Sequence, residues 1–199
     1  MVVVCLAVGM LTAILLSRTP PAWRRIAALA TAALAVADYW PAPFPLTNIE
    51  TPAIYATLRD LPAGAVCELP MGIRDGFGQR GVFDDRVLSY QMTHGHPLVG
   101  GFAARVPASI VRGYEGTPVV RSLWRLSEGK PVDPRDDVLT LEETSAALTR
   151  ATVSFVVLDR LTASAALVQY IERALPLTLI AKDGSRELYA VTSLGAGPS

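Results

Sequence analysis

The chain has 199 residues, of which 51% are hydrophobic and 18% are charged, and its 18 basic and 18 acidic residues cancel. This balance excludes a broad nucleic-acid-binding surface, which needs a basic stripe, so no nucleic acid is expected as a partner. The length leaves room for an apolar N-terminal segment and one domain of about 150 residues.

The first forty residues are two apolar stretches joined by a short loop. Residues 1–16 carry no charge, and residues 22–40 are apolar except for Arg24, Arg25 and Asp38. Such stretches usually meet lipid, so we predict two transmembrane helices over residues 1–40, with the lipid bilayer as a partner. The arginines place the connecting loop on the cytoplasmic side by the positive-inside rule. The predicted location is the cell membrane, and everything after residue 40 is expected to be extracytoplasmic.

Two other interpretations of these residues stay open. The first is a secretory signal peptide, with residues 26–34 as its apolar core and cleavage between Ala37 and Asp38. The second is a helical hairpin buried in the core of a water-soluble domain.

The remainder of the chain reads as a linker and one domain. Residues 41–51 are predicted to be a proline-rich linker, and residues 52–199 an extracytoplasmic α/β domain. The predicted helices cover residues 52–61, 108–126 with an interruption near 113–118, 141–151 and 162–175. The predicted strands cover residues 65–70, 153–158, 177–181 and 187–192, the last two as a hairpin. The predicted fold class is therefore α/β, a transmembrane hairpin followed by a small mixed sheet with helices.

A long glycine-rich segment, residues 71–107, contains no long periodic stretch. A loop of this length in a compact domain is usually functional or mobile. We expect residues 90–102 to pack over the carboxyl end of the strand at 65–69, because glycines allow close backbone approach and Leu98, Val99 and Phe102 are apolar. The loop would then form one wall of a ligand cleft at the strand ends.

One carboxylate, Glu68, one arginine, Arg105, and two aromatic residues are candidate binding residues in this region. Glu68 lies inside an apolar strand, either as a perturbed carboxylate in a cleft or as an exposed or ion-paired residue with Arg74 or Arg105 as its partner. Tyr90 and Phe102 are suited to stacking on the apolar face of a sugar, although core packing is the commoner use of aromatic side chains.

Two histidines and two aspartates complete the candidate set. His94 and His96 would point the same way on an extended chain, and Asp84 and Asp85 lie ten residues earlier. A metal site needs three or four ligands, and the chain has no third histidine, so no metal is expected. The plainer interpretation is that these side chains hydrogen-bond the loop to the domain. No glycine-rich nucleotide motif is present, so no cofactor is expected.

Several short patterns spread over most of the chain carry a resemblance to a known family. They are DYWPAP at 38–43, IYATL at 54–58, AVCELP at 65–70, YQMTHGHPLVGGF at 90–102, VSFVVLDR at 153–160 and LY at 188–189. With these patterns the chain resembles the C-terminal region, last transmembrane helices plus extracytoplasmic α/β domain, of bacterial GT-C-type multi-spanning membrane glycosyltransferase-like proteins.

The resemblance has a partly negative implication for activity. In that family the acidic catalytic residues and the lipid-phosphate sugar donor site lie in earlier membrane helices and loops, so no catalytic residue is carried over to this sequence. We expect a non-catalytic binding or structural module, a truncated or separately encoded tail. Its expected partners are other transmembrane helices of a membrane glycosyltransferase and a saccharide or lipid-linked sugar. The alternatives are an independent envelope hydrolase or transferase using carboxylates and histidines of residues 68–96, and an inactive fragment.

Overall fold

A computed structural model describes residues 2–39 and 50–193, which form nine helices and eight strands. The chain divides into two compact units, Met1–Asn48 and Ile49–Ser199. The predicted linker at residues 41–51 lies almost entirely outside the described residues.

The first unit is a pair of helices, α1 (Val2–Arg18) and α2 (Pro21–Tyr39). Arg24 closes their connection, because its Nη2 donates to the carbonyl oxygens of Ser17 and Thr19, each at 3.2 Å. Large apolar side chains of this pair are exposed, namely Met10, Leu11, Ile14, Leu15, Trp23, Ile26, Leu29, Leu34 and Val36.

The predicted transmembrane hairpin is wrong. Within residues 2–39 and 50–193, no helix combines the length and the apolarity that crossing a membrane requires. The 17 residues of α1 rise about 26 Å, less than the roughly 30 Å of a hydrocarbon core. The 19 residues of α2 include Arg24, Arg25 and Asp38. The transmembrane part of the predicted fold class, the cell-membrane location and the extracytoplasmic placement depended on these spans and are corrected with them.

The second unit is a mixed α/β fold with two sheets. Its helices are α3 (Ile54–Arg59), α4 (Arg86–His94), α5 (Ala108–Gly116), α6 (Val120–Ser127), α7 (Pro134–Asp137), α8 (Leu141–Arg150) and α9 (Ala165–Ala174). Its strands are β1 (Ala65–Leu69), β2 (Gly72–Arg74), β3 (Gln79–Gly81), β4 (Leu98–Val99), β5 (Gly101–Phe102), β6 (Val153–Asp159), β7 (Leu177–Asp183) and β8 (Arg186–Val191).

The larger sheet brings distant parts of the chain to one edge. Its strand order is β4-β1-β6-β8-β7, and the smaller sheet has the order β3-β2-β5. Strands β4, β1 and β6 are parallel, whereas β8 runs antiparallel to β6 with Arg186 opposite Asp159. The register of β1 on β6 sets Glu68 beside Val157. The ends of β1 and β6 and the start of β8 therefore meet, and we call this place, marked by Glu68, Asp159 and Arg186, the carboxyl edge.

Helices cover both faces of the larger sheet. Cys67 and Leu69 of β1 belong to the core cluster that includes Leu123 of α6, Leu148 of α8 and Leu167 of α9. The alternate residue Val66 belongs to a second cluster on the opposite face, with Tyr55 of α3, Tyr90 of α4, Phe155, Val157 and Leu188. Because side chains alternate along a strand, Glu68 shares the face of Val66 and lies against α3 and α4.

Most elements predicted after residue 107 are confirmed, but residues 71–107 are more regular than expected. This segment holds β2, β3, α4, β4 and β5. The nine-residue helix α4 ends at Gly95, whose φ of 72° is left-handed, and is too short to give a long periodic signal. Residues 98–99 pack on β1, but they pair in parallel along the middle of the strand, Leu98 with Val66 and Val99 with Cys67, whereas packing over its carboxyl end was expected.

Candidate functional site

The guanidinium of Arg186 is the centre of a buried charge cluster at the carboxyl edge. Its Nη1 donates to the hydroxyl of Tyr55 at 2.8 Å and lies 3.6 Å from Glu68 Oε2. Its Nη2 lies 3.3 Å from Asp84 Oδ2 and 3.2 Å from Asp159 Oδ2. Its Cζ stands 5.0 Å from the centroid of the Tyr90 ring. The Arg186 side chain is only 7% exposed, so three carboxylates and an aromatic face surround a cation that water hardly reaches.

Glu68 is the least satisfied member of this cluster. The hydroxyl of Tyr55 donates to Glu68 Oε2 at 3.1 Å, whereas Oε1 is buried and has no hydrogen-bond partner among the described residues. Burial raises the pKa of Glu68 to about 7. The hydrogen bond from Tyr55 and the charge of Arg186 lower this pKa, and the charges of Asp84 and Asp159 raise it further. Near neutral pH this carboxyl therefore exists in both forms, and it can either donate or accept a hydrogen bond through Oε1.

Asp84 has the opposite electrostatic character. Arg86 binds it through Nε, at 2.9 and 3.0 Å from the two carboxylate oxygens, and through Nη2 at 2.8 Å. Burial raises the pKa of Asp84, but the hydrogen bonds and charge of Arg86 and the charge of Arg186 outweigh it, so the pKa is lowered. One carboxylate of the site thus stays ionised while its neighbour Glu68 titrates near pH 7.

A cleft of about 250 Å³ opens at this cluster. The polar residues that line it are Glu68, Asp84, Arg86, Asp159, Thr162 and Arg186. The apolar residues that line it are Leu69, Pro70, Val82, Phe83 and Val87. Asp84 and Asp159 balance Arg86 and Arg186 in formal charge, and the remaining carboxyl group is partly protonated. The cleft is therefore lined by both polar and apolar side chains and is close to neutral in charge.

Asp159 is fixed by the turn that follows β6. Its Oδ1 accepts hydrogen bonds from the backbone N–H of Leu161 at 3.0 Å and from the hydroxyl of Ser185 at 2.7 Å. The Ser185 contact comes from the turn between β7 and β8, directly before Arg186. Asp159 therefore ties the β7–β8 turn to the end of β6 and holds Arg186 in place.

The two histidines have structural contacts away from the cleft. His94 is buried and its Nδ1 accepts from the backbone N–H of His96 at 3.0 Å. The His96 ring lies between two carbonyl oxygens, with Nε2 2.9 Å from Leu58 and Nδ1 3.0 Å from Gly64. These contacts fasten the end of α4 to α3 and to the start of β1. Among the described residues, no group of three or more histidine, cysteine, aspartate or glutamate side chains is arranged to hold a metal ion.

The remaining candidate residues do not line the carboxyl-edge cleft. Asp85 is exposed and pairs with Arg74 at 3.4 Å, and Arg105 is exposed as well. Phe102 is 50% exposed and does not line the carboxyl-edge cleft. Tyr90 lies beneath Arg186 and stacks on Tyr55 with ring centroids 4.4 Å apart, so it supports the site without facing the cleft.

Of the eight sequence candidates, Glu68 and Asp84 line the cleft together. Neither Arg74 nor Arg105 is the partner of Glu68, because that partner is Arg186. Sequence reasoning missed Tyr55, Asp159 and Arg186. A signal for Asp159 existed, since it directly follows the most apolar predicted strand, where ligand residues of α/β sheets commonly lie.

Comparison with protein-family models, curated proteins and solved structures finds no match to this chain.

Proposed function

We propose that residues 50–193 form a non-catalytic binding module whose carboxyl-edge cleft takes a neutral polyhydroxy ligand, a saccharide unit. The observation that carries this proposal is that Glu68 lines a charge-balanced cleft and that its Oε1 is buried without a hydrogen-bond partner in the described part of the chain. A buried polar atom without a hydrogen bond is costly, so a ligand hydroxyl that reaches it gains affinity.

Charge balance is the reason to favour a neutral ligand. Asp84 and Asp159 are offset by Arg86 and Arg186, so an added anion or cation would meet no uncompensated opposite charge. Hydroxyl groups suit this lining because each both donates and accepts. They can donate to Asp84 and Glu68 and accept from the protonated form of Glu68.

Size and shape fit a single sugar ring. The cleft volume of about 250 Å³ lies just below the range of roughly 300–1,000 Å³ that is typical of small-molecule pockets. Val82, Phe83 and Val87 add apolar side chains to the polar lining of the cleft. A pyranose has the matching character, with C–H groups on its faces and hydroxyls around its rim.

The same module would serve a glycosyltransferase-like assembly, by binding a sugar unit of its donor, acceptor or product. This part of the proposal comes from the sequence resemblance, whose AVCELP pattern at 65–70 contains Glu68. It needs no catalytic residue on this chain.

The test is ligand-observed NMR on the full chain with glucose, galactose, mannose and N-acetylglucosamine as probes. We expect saturable binding of at least one sugar, weakened about tenfold or more by Asp84→Asn, which removes a charge-assisted hydrogen bond. Asp85→Asn is the matched control, because Asp85 is the adjacent residue but is exposed and outside the cleft. Circular dichroism verifies that both variants fold. Absence of sugar binding, or equal effects of the two substitutions, would refute the proposal.

A second candidate is acid–base cleavage of a glycosidic bond, favoured by one observation. Glu68 has a raised pKa and Asp84 a lowered one, which is the division between general acid and ionised carboxylate that such enzymes use. His94 and His96 take no part in this version. Release of 4-nitrophenol from 4-nitrophenyl glycosides, lost in Glu68→Gln and in Asp84→Asn, would support it, and no release from any of the probe glycosides would eliminate it.

A further inference from the structure

A second, larger groove of about 550 Å³ lies beside α6, between β3 and the segment that leads to α7. It is lined by five cationic side chains, Arg80, Arg121, Arg125, Lys130 and Arg135. Three carboxylates, Glu115, Glu128 and Asp133, line it as well. The groove therefore carries a formal excess of positive charge and shares no lining residue with the carboxyl-edge cleft.

The carboxylates of this groove already have cationic partners. Asp133 accepts from Arg135 at 2.9 and 3.0 Å and lies 3.3 Å from Arg121. Arg121 also pairs with Asp136, a buried aspartate beneath the groove. These two arginines and two aspartates form one balanced cluster.

The other two carboxylates are also occupied. Glu128 pairs with Lys130 and accepts hydrogen bonds from Trp124 Nε1 at 3.0 Å and from the backbone N–H of Gly81 at 3.1 Å. Glu115 lies 3.3 Å from Arg80 Nη1. No carboxylate of the groove is thus left to neutralise a further cation.

Among the cations that line this groove, Arg125 is the one without a carboxylate partner in the described part of the chain. Its Nε donates to the carbonyl oxygen of Pro131 at 2.9 Å, which fixes the plane of the guanidinium. Its two terminal nitrogens, Nη1 and Nη2, form no hydrogen bond or ion pair with the described residues. A guanidinium that is held by Nε and presents both terminal nitrogens can bind a carboxylate or phosphate group with two parallel hydrogen bonds.

An adjoining groove of about 570 Å³ supplies apolar surface. It shares Arg80 and Glu115 with the basic groove, and its apolar lining includes Ile73, Phe77 and Val111. Phe77 is 89% exposed, which is unusual for so large an apolar side chain. A ligand with its charged group at Arg125 can extend its uncharged body past Arg80 toward this surface.

We infer that the basic groove binds a small organic anion, a carboxylate or a phosphate monoester with an apolar or aromatic body. Arg125 holds the charged group, and the surface around Ile73 and Phe77 contacts the body. The site is separate from the saccharide cleft and does not depend on it.

The test is isothermal titration calorimetry of the full chain with benzoate and phenyl phosphate as probes. Acetate and inorganic phosphate carry the same charged groups without the apolar body, and benzyl alcohol carries the body without the charge. We expect at least one aromatic anion to bind more tightly than its small counterpart, and benzyl alcohol not to bind. Whether benzoate or phenyl phosphate binds more tightly identifies the charged group.

Substitutions locate the binding. Arg125→Gln should weaken the aromatic anion about tenfold, the loss expected for a charge-assisted hydrogen-bonded pair, and Arg125→Lys should weaken it less because the charge remains. Arg150→Gln is the matched control, since Arg150 is exposed and its Nε likewise donates to a backbone carbonyl, that of Ala146 at 3.2 Å. Glu68→Gln should leave this binding unchanged.

Three outcomes would overturn the inference. The first is that neither aromatic anion binds. The second is that Arg125→Gln and Arg150→Gln have the same effect, which would indicate unspecific attraction. The third is that inorganic phosphate and phenyl phosphate, and likewise acetate and benzoate, bind equally, which would contradict a role for the apolar surface.

Discussion

Replacement of Glu68 by glutamine should change how the stability of the chain depends on pH. The glutamine side chain has nearly the same shape as the protonated glutamate and cannot ionise. Burial raises the pKa of Glu68 from 4.5 to about 7 in the folded chain. The folded state therefore binds a proton more tightly than the unfolded state between these two values. Stability from this group is fully present below pH 4.5 and is lost as the pH rises through about 7.

The size of this effect follows from the two pKa values. The rise of the pKa from 4.5 to about 7 corresponds to about 3 kcal/mol of unfolding free energy, at roughly 1.4 kcal/mol per pKa unit. The unfolding free energy of Glu68→Gln, relative to that of the native chain, should thus rise by about 3 kcal/mol between pH 4.5 and pH 8. Any constant cost of the amide group cancels, because only the change with pH is compared.

Urea unfolding of both chains at half-unit steps from pH 4 to pH 8 measures this difference. The two chains must be compared at each pH because His94 titrates over nearly the same range, and its contribution to the unfolding free energy changes with pH in the opposite direction. Burial, and then the charge of His96, lowers the pKa of His94 from 6.5 to about 4, so its contribution to stability is lost as the pH falls through about 4. A difference between Glu68→Gln and native chain that stays constant from pH 4 to pH 8 would refute the raised pKa of Glu68.

Three further predictions concern other parts of the second unit. The His94→Gln chain should lose less stability than the native chain on acidification from pH 6.5 to about pH 4, because it lacks the histidine with the lowered pKa. An equal loss of both chains in the same urea series would contradict this prediction. Gly100→Ala should lower the unfolding free energy by about 1–3 kcal/mol or more, because φ is +96° and the added Cβ would lie 2.5 Å from the carbonyl oxygen of Gly72. Gly95→Ala has a φ of +72° but open space, so it should cost only about 1 kcal/mol, and equal losses would contradict the contact argument. Thr140→Ala removes the capping box of α8 and should cost about 1 kcal/mol in thermal or urea unfolding, with no loss as the contrary result.

Local signals in the sequence account for most of the second unit. Strand β6 was predictable because it is continuous, apolar and β-branched, and α8 because Thr140 and Glu143 have the spacing of a capping box. Helix α4 was not, since nine residues among glycines give too short a periodic pattern. The pair α1 and α2 is apolar enough to suggest membrane spans, but α1 is too short and α2 contains Arg24, Arg25 and Asp38.

The candidate site was only half predictable, for a physical reason. Glu68 attracts notice as a charge within an apolar strand, and Asp84 as part of an acidic pair beside the histidines. Arg186 and Asp159 are brought together by the antiparallel register of β8 on β6, which no local sequence pattern encodes. The spacing of His94 and His96 suggests that both side chains point the same way on an extended chain. The chain instead turns at Gly95, whose backbone is in the left-handed region.

A carbon-13 NMR titration of the Glu68 side-chain carboxyl, with and without a saturating neutral sugar, tests most directly whether this carboxyl contacts the ligand. Glu187 is an internal control: it is also buried, but the hydrogen bonds of Tyr189, Lys182 and Arg160 outweigh burial and lower its pKa to about 2. We predict that Glu68 titrates near pH 7, that the sugar shifts its resonance and its pKa, and that Glu187 does not respond. A Glu68 carboxyl that titrates near pH 4.5 and is unaffected by every sugar would contradict the central claim that this carboxyl is the buried ligand contact of the cleft.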